Sequence, residues 1–289
     1  MGTTAFVMQS IVLGLVQGLT EFIPISSSAH LVIVPWLFGW TDPALGGLTF
    51  DVALHLGTLI AVIVFFASDW VRLIGAWFRS VFELRIGDSP DSRMAWYLLL
   101  ACIPGGIAGV LFEGDVTASF HVQPIPRLSM ILMAVMIALL GALLFLADWR
   151  GKRNRPFSKI GFLDALLIGL AQAVSIFPGV SRSGATITAG LALGLEREAA
   201  ARFSFLLSAP IIAGAGIKSL YDLIAGLPAG AIPSPELVIF PVGFLTAAVS
   251  GFFCIKLLLA FLQKHSARVF VYYRWALAAL VLAVALLKG

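Results

Sequence analysis

Charged residues are scarce in this 289-residue chain. Asp, Glu, Lys and Arg together make up 12%, whereas a soluble domain carries about 25%. Hydrophobic residues make up 60%, and the mean hydropathy is +1.01. A soluble fold of this length needs far more polar surface. The scarcity of charge therefore excludes a soluble globular protein and indicates a polytopic membrane protein surrounded by lipid.

Cysteine is nearly absent as well. Cys102 and Cys254 both lie in apolar runs and match no metal-ligand spacing, which excludes a disulfide framework or a zinc-finger site. The segment before Glu21 lacks the basic start of a cleavable signal peptide, so none is expected. The net charge of +4 comes mostly from connections between apolar runs, which favours topology signals over nucleic-acid binding.

Six apolar runs have the length for a bilayer crossing, which takes about 20 residues. They lie at approximately 50–68, 94–112, 128–147, 201–221, 237–261 and 270–287. Two further segments, 5–39 and 160–194, are apolar but interrupted by "EFIPISSS" and "SIFPGVSRSG". Each half is too short to cross, so each segment predicts a re-entrant helix–turn–helix hairpin. The predicted fold is all-α, with six transmembrane helices and two re-entrant hairpins.

The basic residues predict the orientation of the chain. Of the 19 Lys and Arg residues, 14 lie in four connections, at 69–93, 148–160, 194–202 and 262–274. The opposite connections, at 40–49, 113–127 and 219–236, contain only Arg127. The positive-inside rule makes the first set cytoplasmic, with Arg274 at the end of its last member. Both chain ends are then predicted outside.

The two halves of the chain are predicted to form an inverted-topology repeat. Residues 1–147 and 160–287 each show a hairpin followed by three spans, with opposite starting sides. The local sequences agree, because "GLVQGLTEFIPISSSA" (14–29) aligns with "GLAQAVSIFPGVSRSG" (169–184). In such repeats the broken helices meet near the bilayer midplane.

The first break brings a cluster of polar groups into the apolar chain. Gln17 and Glu21 are four residues apart and share a helical face. Pro24 ends that helix, and His30 lies about one turn into the next. Three serines begin the second half-helix: Ser26, Ser27 and Ser28. Serine caps helix N-termini, whose free N–H groups and positive dipole end attract anions.

The second break repeats this pattern and adds a positive charge. Its turn and its caps are Pro178, Gly179, Ser181 and Ser183. Arg182 presents a planar donor fork suited to phosphate, and Thr186 is placed to face the same point. Together the two breaks predict an oxyanion site within the membrane, with phosphate-binding candidates Ser26, Ser28, Gly179, Ser181, Ser183 and Thr186.

Structural interpretations of the same residues stay open. Serines in membrane helices often serve as small packing residues or bond their own helix carbonyls, which applies to Ser26 and Ser28. Glu21 and Arg182 can form a plain structural ion pair, although ionisable groups in a membrane are functional candidates by default. His30 can donate to a backbone carbonyl without any chemical role.

Two motifs in these breaks resemble one known family. "QGLTEF" matches Glu/Gln-x-x-x-Glu at Gln17 and Glu21, and "PGVSRSGAT" (178–186) matches Pro-Gly-x-Ser-Arg-Ser-x-x-Thr. The chain resembles the bacterial undecaprenyl pyrophosphate phosphatases of the bacitracin-resistance type. The resemblance implies an inner-membrane enzyme that converts a C55 isoprenyl diphosphate to the monophosphate and recycles a carrier lipid for peptidoglycan synthesis. It also implies a divalent metal, Mg²⁺ or Ca²⁺, and a site that opens to the periplasmic side.

The catalytic roles follow partly from the residues and partly from the resemblance. A serine oxygen can attack the terminal phosphorus, and Ser27 is our choice because it begins a helix and because the resemblance points there. Ser26, or a water activated by His30, is the rival attacker, and His30 is also a candidate for the general base or for the acid that protonates the leaving group. Glu21 is predicted to orient or deprotonate the attacking group, and Arg182 to stabilise phosphate charge.

Several further expectations concern the metal and the surroundings of the site. Glu21 and Gln17 are the metal-ligand candidates, although Gln17 stands where many members of the family carry a second glutamate. Asp51 and His55, four residues apart, support the site or form a solvated interfacial pair. The expected partners are a polyprenyl diphosphate lipid and the bilayer, without nucleic acid, and a homodimer stays open. A lipid-phosphate flippase is the alternative function, because it would need the same anion site.

Overall fold

All regular structure in the described part of the chain is helical. A computed structural model describes residues 3–40, 42, 45, 47–85, 89–120, 125–226 and 236–287. Within these ranges the chain forms eleven α-helices, two short 3-10 turns and no β-strand. The α-helices are α1 (Thr3–Thr20), α2 (Ser27–Phe38), α3 (Leu48–Phe65), α4 (Ala67–Phe82), α5 (Pro90–Phe120), α6 (Arg127–Arg150), α7 (Phe162–Ala173), α8 (Arg182–Ala192), α9 (Arg197–Gly226), α10 (Glu236–Lys264) and α11 (Arg268–Leu287).

Five of these helices are long and apolar enough to cross a membrane. Within the described ranges they are α5, α6, α9, α10 and α11. α3 and α4 meet at a bend of 83° and would together count as a sixth. The prediction of an all-α, multi-pass membrane protein is therefore confirmed. Parts of all three predicted outer connections lie outside the described residues, at 41, 43–44, 46, 121–124 and 227–235.

One helix escaped the sequence analysis. α4 occupies much of the connection predicted at 69–93. Its basic residues Arg72 and Arg79 recur on one face at helical spacing, and apolar residues such as Ile74 and Val81 recur on the opposite face. That pattern is typical of an amphipathic helix at a membrane surface. The basic residues led to its assignment as a connection, although they occupy only one face.

The two predicted breaks lie where proline and glycine stop the helices. α1 ends before Pro24, and α2 begins after it. Each following half-helix is capped by a serine, because Ser26 Oγ accepts from the N–H of Ala29 at 3.4 Å and Ser181 Oγ accepts from the N–H of Gly184 at 3.0 Å. Both caps have positive φ, 79° and 73°. This conformation is strained for serine and is concentrated at functional sites in proteins.

Small residues allow the first half-helix of each break to lie very close to a long helix. α1 packs on α10, and α7 packs on α5. A Cβ atom on Gly18 would lie 2.7 Å from Ala247 O and 1.9 Å from Ser250 Oγ. A Cβ atom on Gly169 would lie 2.6 Å from Ala101 O. Since lipid gives no hydrophobic drive for helix association, such close contact is a main source of stability between membrane helices.

We expect Gly18→Ala to lower the thermal unfolding midpoint of the protein in detergent. The added methyl group meets backbone oxygen in α10, and overpacking of this kind costs about 1–3 kcal/mol. Gly109→Ala is the matched control, since a Cβ there has nothing within 4 Å. A midpoint for Gly18→Ala equal to that of the control would contradict the close packing of α1 on α10.

Candidate active site

The tips of the two breaks contact each other directly. The N–H of Gly179 donates to Ser26 Oγ at 3.2 Å, so the second break binds the cap of the first. In return, Ser183 Oγ donates to Ile23 O at 3.2 Å. The reciprocal bonds bring the N-termini of α2 and α8 to one point, as the sequence predicted for the polar residues at the breaks.

The carboxylate of Glu21 is the centre of this point. Ser27 Oγ donates to Glu21 Oε2 at 2.5 Å, and Arg182 Nη2 donates to Glu21 Oε1 at 2.8 Å. Gln17 Nε2 also donates to Oε2, at 3.1 Å. His55 Nε2 lies 3.6 Å from the same oxygen. Four residues that the sequence singled out thus meet on the buried carboxylate of a fifth, Glu21.

The serines that flank the central residues form two matching pairs. Ser26 Oγ and Ser28 Oγ lie 3.3 Å apart, and Ser181 Oγ and Ser183 Oγ lie 3.2 Å apart. In each half-helix the residue between the paired serines is the one that reaches Glu21. One of these residues carries a hydroxyl group and the other a guanidinium group, so equivalent positions bring a hydroxyl and a cation to one carboxylate.

Two buried polar atoms at the site have no hydrogen-bond partner among the described residues. They are Arg182 Nη1 and Gln17 Oε1. A buried polar group without a partner costs about 1–3 kcal/mol, and native proteins rarely leave one without a reason. An unpaired guanidinium nitrogen suits an anion, and an unpaired amide oxygen suits a cation or a donor. The site is therefore shaped for a ligand that carries negative charge.

Burial separates the candidate serines. Ser26 is fully buried, with a relative exposure of 0%, and its hydroxyl accepts from two backbone N–H groups, those of Ala29 and Gly179. Ser27 is partly exposed. Its hydroxyl donates to the Glu21 carboxylate. Of the two, Ser27 is the one that an incoming ligand can reach.

His30 is directed to a partner that the sequence analysis missed. Its Nδ1 lies 2.6 Å from Ser26 O, and its Nε2 lies 2.7 Å from the hydroxyl of Tyr273. Because a carbonyl only accepts, Nδ1 carries the proton, and Nε2 of the neutral ring accepts from Tyr273. Both ring nitrogens are thus engaged by groups other than Ser27 and Glu21.

Thr186 is placed differently from the prediction. Its hydroxyl was expected to face the anion site. Instead, Thr186 Oγ1 donates to Arg182 O at 2.8 Å and lies 2.6 Å from the hydroxyl of Ser204 on α9. A threonine in a helix commonly bonds the carbonyl four residues earlier, which turns its hydroxyl along the helix. Ser204, a partner that the sequence analysis missed, then ties α8 to α9.

α3, which carries Asp51 and His55, approaches the Glu21 carboxylate through the imidazole of His55. The four-residue spacing lets His55 Nδ1 donate to Asp51 O at 2.7 Å. This bond directs Nε2 toward Glu21. An imidazolium at this position would support the charge of the carboxylate. His55 therefore lies beside the site, as the supporting role required.

Arg274 is the central residue that the sequence analysis assigned wrongly. It was placed at the end of the cytoplasmic connection 262–274, but it lies within α11 and has a relative exposure of 0%. Its Nη1 donates to Pro24 O at 3.1 Å, and its Nη2 donates to Gly179 O at 2.7 Å. Its Nε donates to Ile137 O at 2.9 Å. One guanidinium thus bonds a backbone carbonyl at each break.

A signal for Arg274 was present in the sequence. It lies about two helical turns after Arg268, where α11 begins, and an apolar run follows it. An arginine inside a membrane helix is a functional candidate by default. The functional role was not predicted because Arg274 was assigned to the connection 262–274 and not to the membrane helix.

The oxygen atoms at the site fit a shared metal ion rather than a closed metal centre. Mg²⁺ and Ca²⁺ prefer oxygen ligands, and the site offers the Glu21 carboxylate and the unpaired Gln17 Oε1. The described ranges contain no group of three His, Cys, Asp or Glu side chains that could hold a metal ion. Mg²⁺ often binds through one or two carboxylates plus substrate phosphates, and these residues fit that mode.

Comparison with known proteins gives one consistent result. The protein family described as bacitracin resistance protein BacA matches residues 10–280. An undecaprenyl-diphosphatase of Moorella thermoacetica is 49% identical over 279 residues, which are 96% of this chain and 97% of the relative. Proteins of the same name from Thermomicrobium roseum and Geobacter sulfurreducens are 45% and 46% identical, over 96% of this chain and 98% and 97% of their own lengths.

We expect Arg274→Lys to lower the thermal unfolding midpoint in detergent. A lysine keeps the charge, but it lacks the planar fork and leaves at least one of the carbonyls of Pro24, Gly179 and Ile137 unpaired, at a cost of about 1–3 kcal/mol. Arg79→Lys, at an exposed position on α4, is the control. Equal midpoints for the two variants would show that the fork of Arg274 is not needed.

Proposed function

The chain belongs to the bacitracin resistance protein BacA family, and we propose that it hydrolyses undecaprenyl diphosphate to undecaprenyl phosphate and inorganic phosphate. Relatives that are 42–49% identical carry the name undecaprenyl-diphosphatase. One observation at the site carries the proposal, namely that Glu21 holds the Ser27 hydroxyl on one carboxylate oxygen and the Arg182 guanidinium on the other. The reaction returns a carrier lipid to cell-wall synthesis.

The proposed reaction has two steps. In the first step, Ser27 Oγ attacks the terminal phosphorus, and its proton passes to Glu21 Oε2. The bond from that phosphorus to the bridging oxygen breaks, and undecaprenyl phosphate leaves. In the second step, water attacks the phosphoserine, and the bond from phosphorus to Ser27 Oγ breaks. Glu21 returns its proton to Ser27 Oγ, the protons of the water stay on the phosphate, and inorganic phosphate leaves. The short contact from Ser27 to Glu21 supports this assignment of the proton acceptor.

Phosphoryl transfer depends mainly on positioning and on stabilisation of charge. Arg182 Nη1, buried and without a partner, is available to a phosphate oxygen while Nη2 stays on Glu21. The N-termini of α2 and α8, with the hydroxyls of Ser28 and Ser183 beside them, add backbone donors and positive dipole ends. Donors fixed in a low-dielectric site stabilise developing charge strongly.

Ser27 is favoured over both rival attackers. Ser26 is fully buried and accepts two backbone N–H bonds, so attack by it would disrupt the cap of α2. A water activated by His30 would need a ring nitrogen, and both nitrogens are bonded to other groups. We assign His30 to holding the cap, through the carbonyl of Ser26.

We extend the proposal to a divalent ion, Mg²⁺ or Ca²⁺, held by Glu21 and Gln17 together with the substrate. The unpaired oxygen of Gln17 beside the carboxylate supports this role. When bound, such an ion neutralises charge on the phosphates. The guanidinium of Arg182 repels a cation near Glu21, which favours binding of the ion together with the negatively charged substrate.

The arrangement in the membrane is also a proposal. We place residues 1–147 and 160–287 as inverted repeats with re-entrant hairpins at α1–α2 and α7–α8. The reciprocal packing of α1 on α10 and α7 on α5 supports this symmetry. The positions of the basic connections support chain ends outside the bacterial inner membrane, and the family resemblance supports a site that opens to the periplasmic side. The assembly stays open between monomer and homodimer.

A polyprenyl-phosphate flippase is the second candidate function. Two broken hairpins whose tips meet are the architecture of secondary transporters, and here they meet through Ser26, Gly179 and Ser183. A flippase needs an anion site but no nucleophile. The contact between Ser27 and Glu21 therefore favours the enzyme.

Ser27→Ala is expected to reduce phosphate release from undecaprenyl diphosphate by more than about 1,000-fold, as loss of a nucleophile does in other enzymes. The assay uses purified protein in detergent, where no membrane separates two sides. Ser158→Ala, at an exposed serine far along the chain, is the control and should keep full activity.

Two results would reverse these assignments. If Ser27→Ala keeps most of its activity while His30→Ala is inactive, a water attacks and no phosphoserine forms. If the parent protein releases no phosphate in detergent, the transporter becomes the better reading.

Gln17→Met is expected to raise the Mg²⁺ concentration needed for half-maximal activity after chelation. The substitution keeps the length of the side chain and removes Oε1, and loss of one oxygen near a metal typically weakens affinity about 10- to 100-fold. Gln9→Met, two turns earlier in α1, is the matched control. An unchanged Mg²⁺ requirement in Gln17→Met would remove Gln17 from the metal site.

A further inference from the structure

A groove of about 520 Å³ lies between α6 and α8, away from the Glu21 carboxylate. Its walls are mainly apolar, with Leu143 and Leu146 on α6 and Ala192 on α8. Its polar lining includes Arg150, Lys152 and Thr188. We call it the basic groove. α8 begins at Arg182 in the active site and ends at this groove, about 15 Å away at 1.5 Å per residue.

The two cations of the basic groove differ in their pairing from two nearby arginines. Arg155 is paired with Asp164, and Arg197 is paired with Asp148. Arg150 and Lys152 have no carboxylate partner in the described part of the chain. The guanidinium of Arg150 instead lies over the ring of Trp149, 5.5 Å from its centre. Two neighbouring positive charges at one groove thus lack a negative partner.

Thr188 provides a second, independent observation. Its Oγ1 is buried and has no hydrogen-bond partner among the described residues. A threonine in a helix usually satisfies its hydroxyl on the carbonyl four residues earlier, as Thr186 does two residues before it. An unpaired hydroxyl on the lining of the groove indicates a bound polar group there.

The groove lies at the level where lipid headgroups are found. α6 is long and apolar enough to span the bilayer and ends at Arg150. Tryptophan is enriched at the membrane–water interface, and Trp149 immediately precedes that end. Leu143 and Leu146 are 54% and 41% exposed, so the apolar wall faces lipid chains. A ligand of this groove therefore needs an anionic head and an apolar tail.

We propose that the basic groove binds an anionic phospholipid of the leaflet on this side. The headgroup phosphate accepts from Arg150, Lys152 and the Thr188 hydroxyl, and an acyl chain lies along Leu143 and Leu146. Basic pockets between transmembrane helices are typical sites for anionic headgroups. A free phosphate ion would leave the apolar wall without a partner, which favours a lipid as the source of the phosphate. The bound lipid clamps the end of α8 against α6.

The test is lipid binding to the purified full chain in neutral detergent. Native mass spectrometry and thermal unfolding are measured with phosphatidylglycerol, with phosphatidylcholine and with inorganic phosphate. We expect the protein to retain phosphatidylglycerol selectively and to gain thermal stability from it. Arg150→Gln with Lys152→Gln should weaken that binding about 30-fold, since each cation near an anionic lipid contributes about fivefold.

Matched variants keep the test specific. Arg85→Gln with Lys264→Gln removes two exposed basic residues from positions that do not line the groove, and it should bind phosphatidylglycerol like the parent. Thr188→Val keeps the side-chain shape and removes the hydroxyl, and it should weaken binding about threefold. Ala192→Phe should reduce lipid retention by occupying the groove, which provides a readout even if the double variant folds poorly.

Three outcomes would overturn the proposal. Equal stabilisation by phosphatidylcholine would remove the role of the negative charge. Equal stabilisation by inorganic phosphate would remove the role of the apolar wall. Equal loss in the groove variants and in the Arg85/Lys264 control would show that total charge matters rather than this groove. Each outcome is independent of whether the protein releases phosphate from undecaprenyl diphosphate.

Discussion

The structure depends on how two broken helices satisfy their backbone inside a membrane. Lipid offers no hydrogen bonds, so every free N–H and C=O at a break needs a partner from the protein. Ser26 and Ser181 cap the half-helices that follow. Arg274 donates to one backbone carbonyl at each break, those of Pro24 and Gly179. Because one guanidinium serves both breaks, the two half-helix N-termini are held together.

That meeting point gathers the polar side chains of both breaks around a single carboxylate, that of Glu21. Glu21 is buried, and an isolated charge there would be costly. The guanidinium of Arg182 compensates the charge, and the hydroxyl of Ser27 uses the second oxygen. The same ion pair that makes burial tolerable also leaves one guanidinium nitrogen without a partner, which the proposed reaction assigns to a phosphate oxygen. The ion pair between Glu21 and Arg182 can therefore stabilise the fold and also serve the proposed reaction.

The helices and breaks were largely predictable because their signals are local. Apolar runs of bilayer length, interrupted by proline and glycine beside serines, identify both breaks without any knowledge of packing. α4 was missed because local charge masked an apolar face, whose spacing was nevertheless present. The direction of the Thr186 hydroxyl was not predicted, because spacing shows only which helical face a residue lies on. The hydroxyl instead donates to a carbonyl of its own helix, that of Arg182.

By itself, the sequence determined the membrane environment, the positions of the breaks and the choice of Glu21, Ser27 and Arg182 as candidate site residues. These properties follow from composition and short-range pattern. Only the tertiary structure decided that Arg274 donates to a carbonyl at each break and that the Tyr273 hydroxyl bonds His30 Nε2. Arg274 and Pro24 are 250 residues apart, and no local pattern specifies which carbonyls a distant guanidinium reaches. That choice is set by the packing of α11 against α6 and the two breaks.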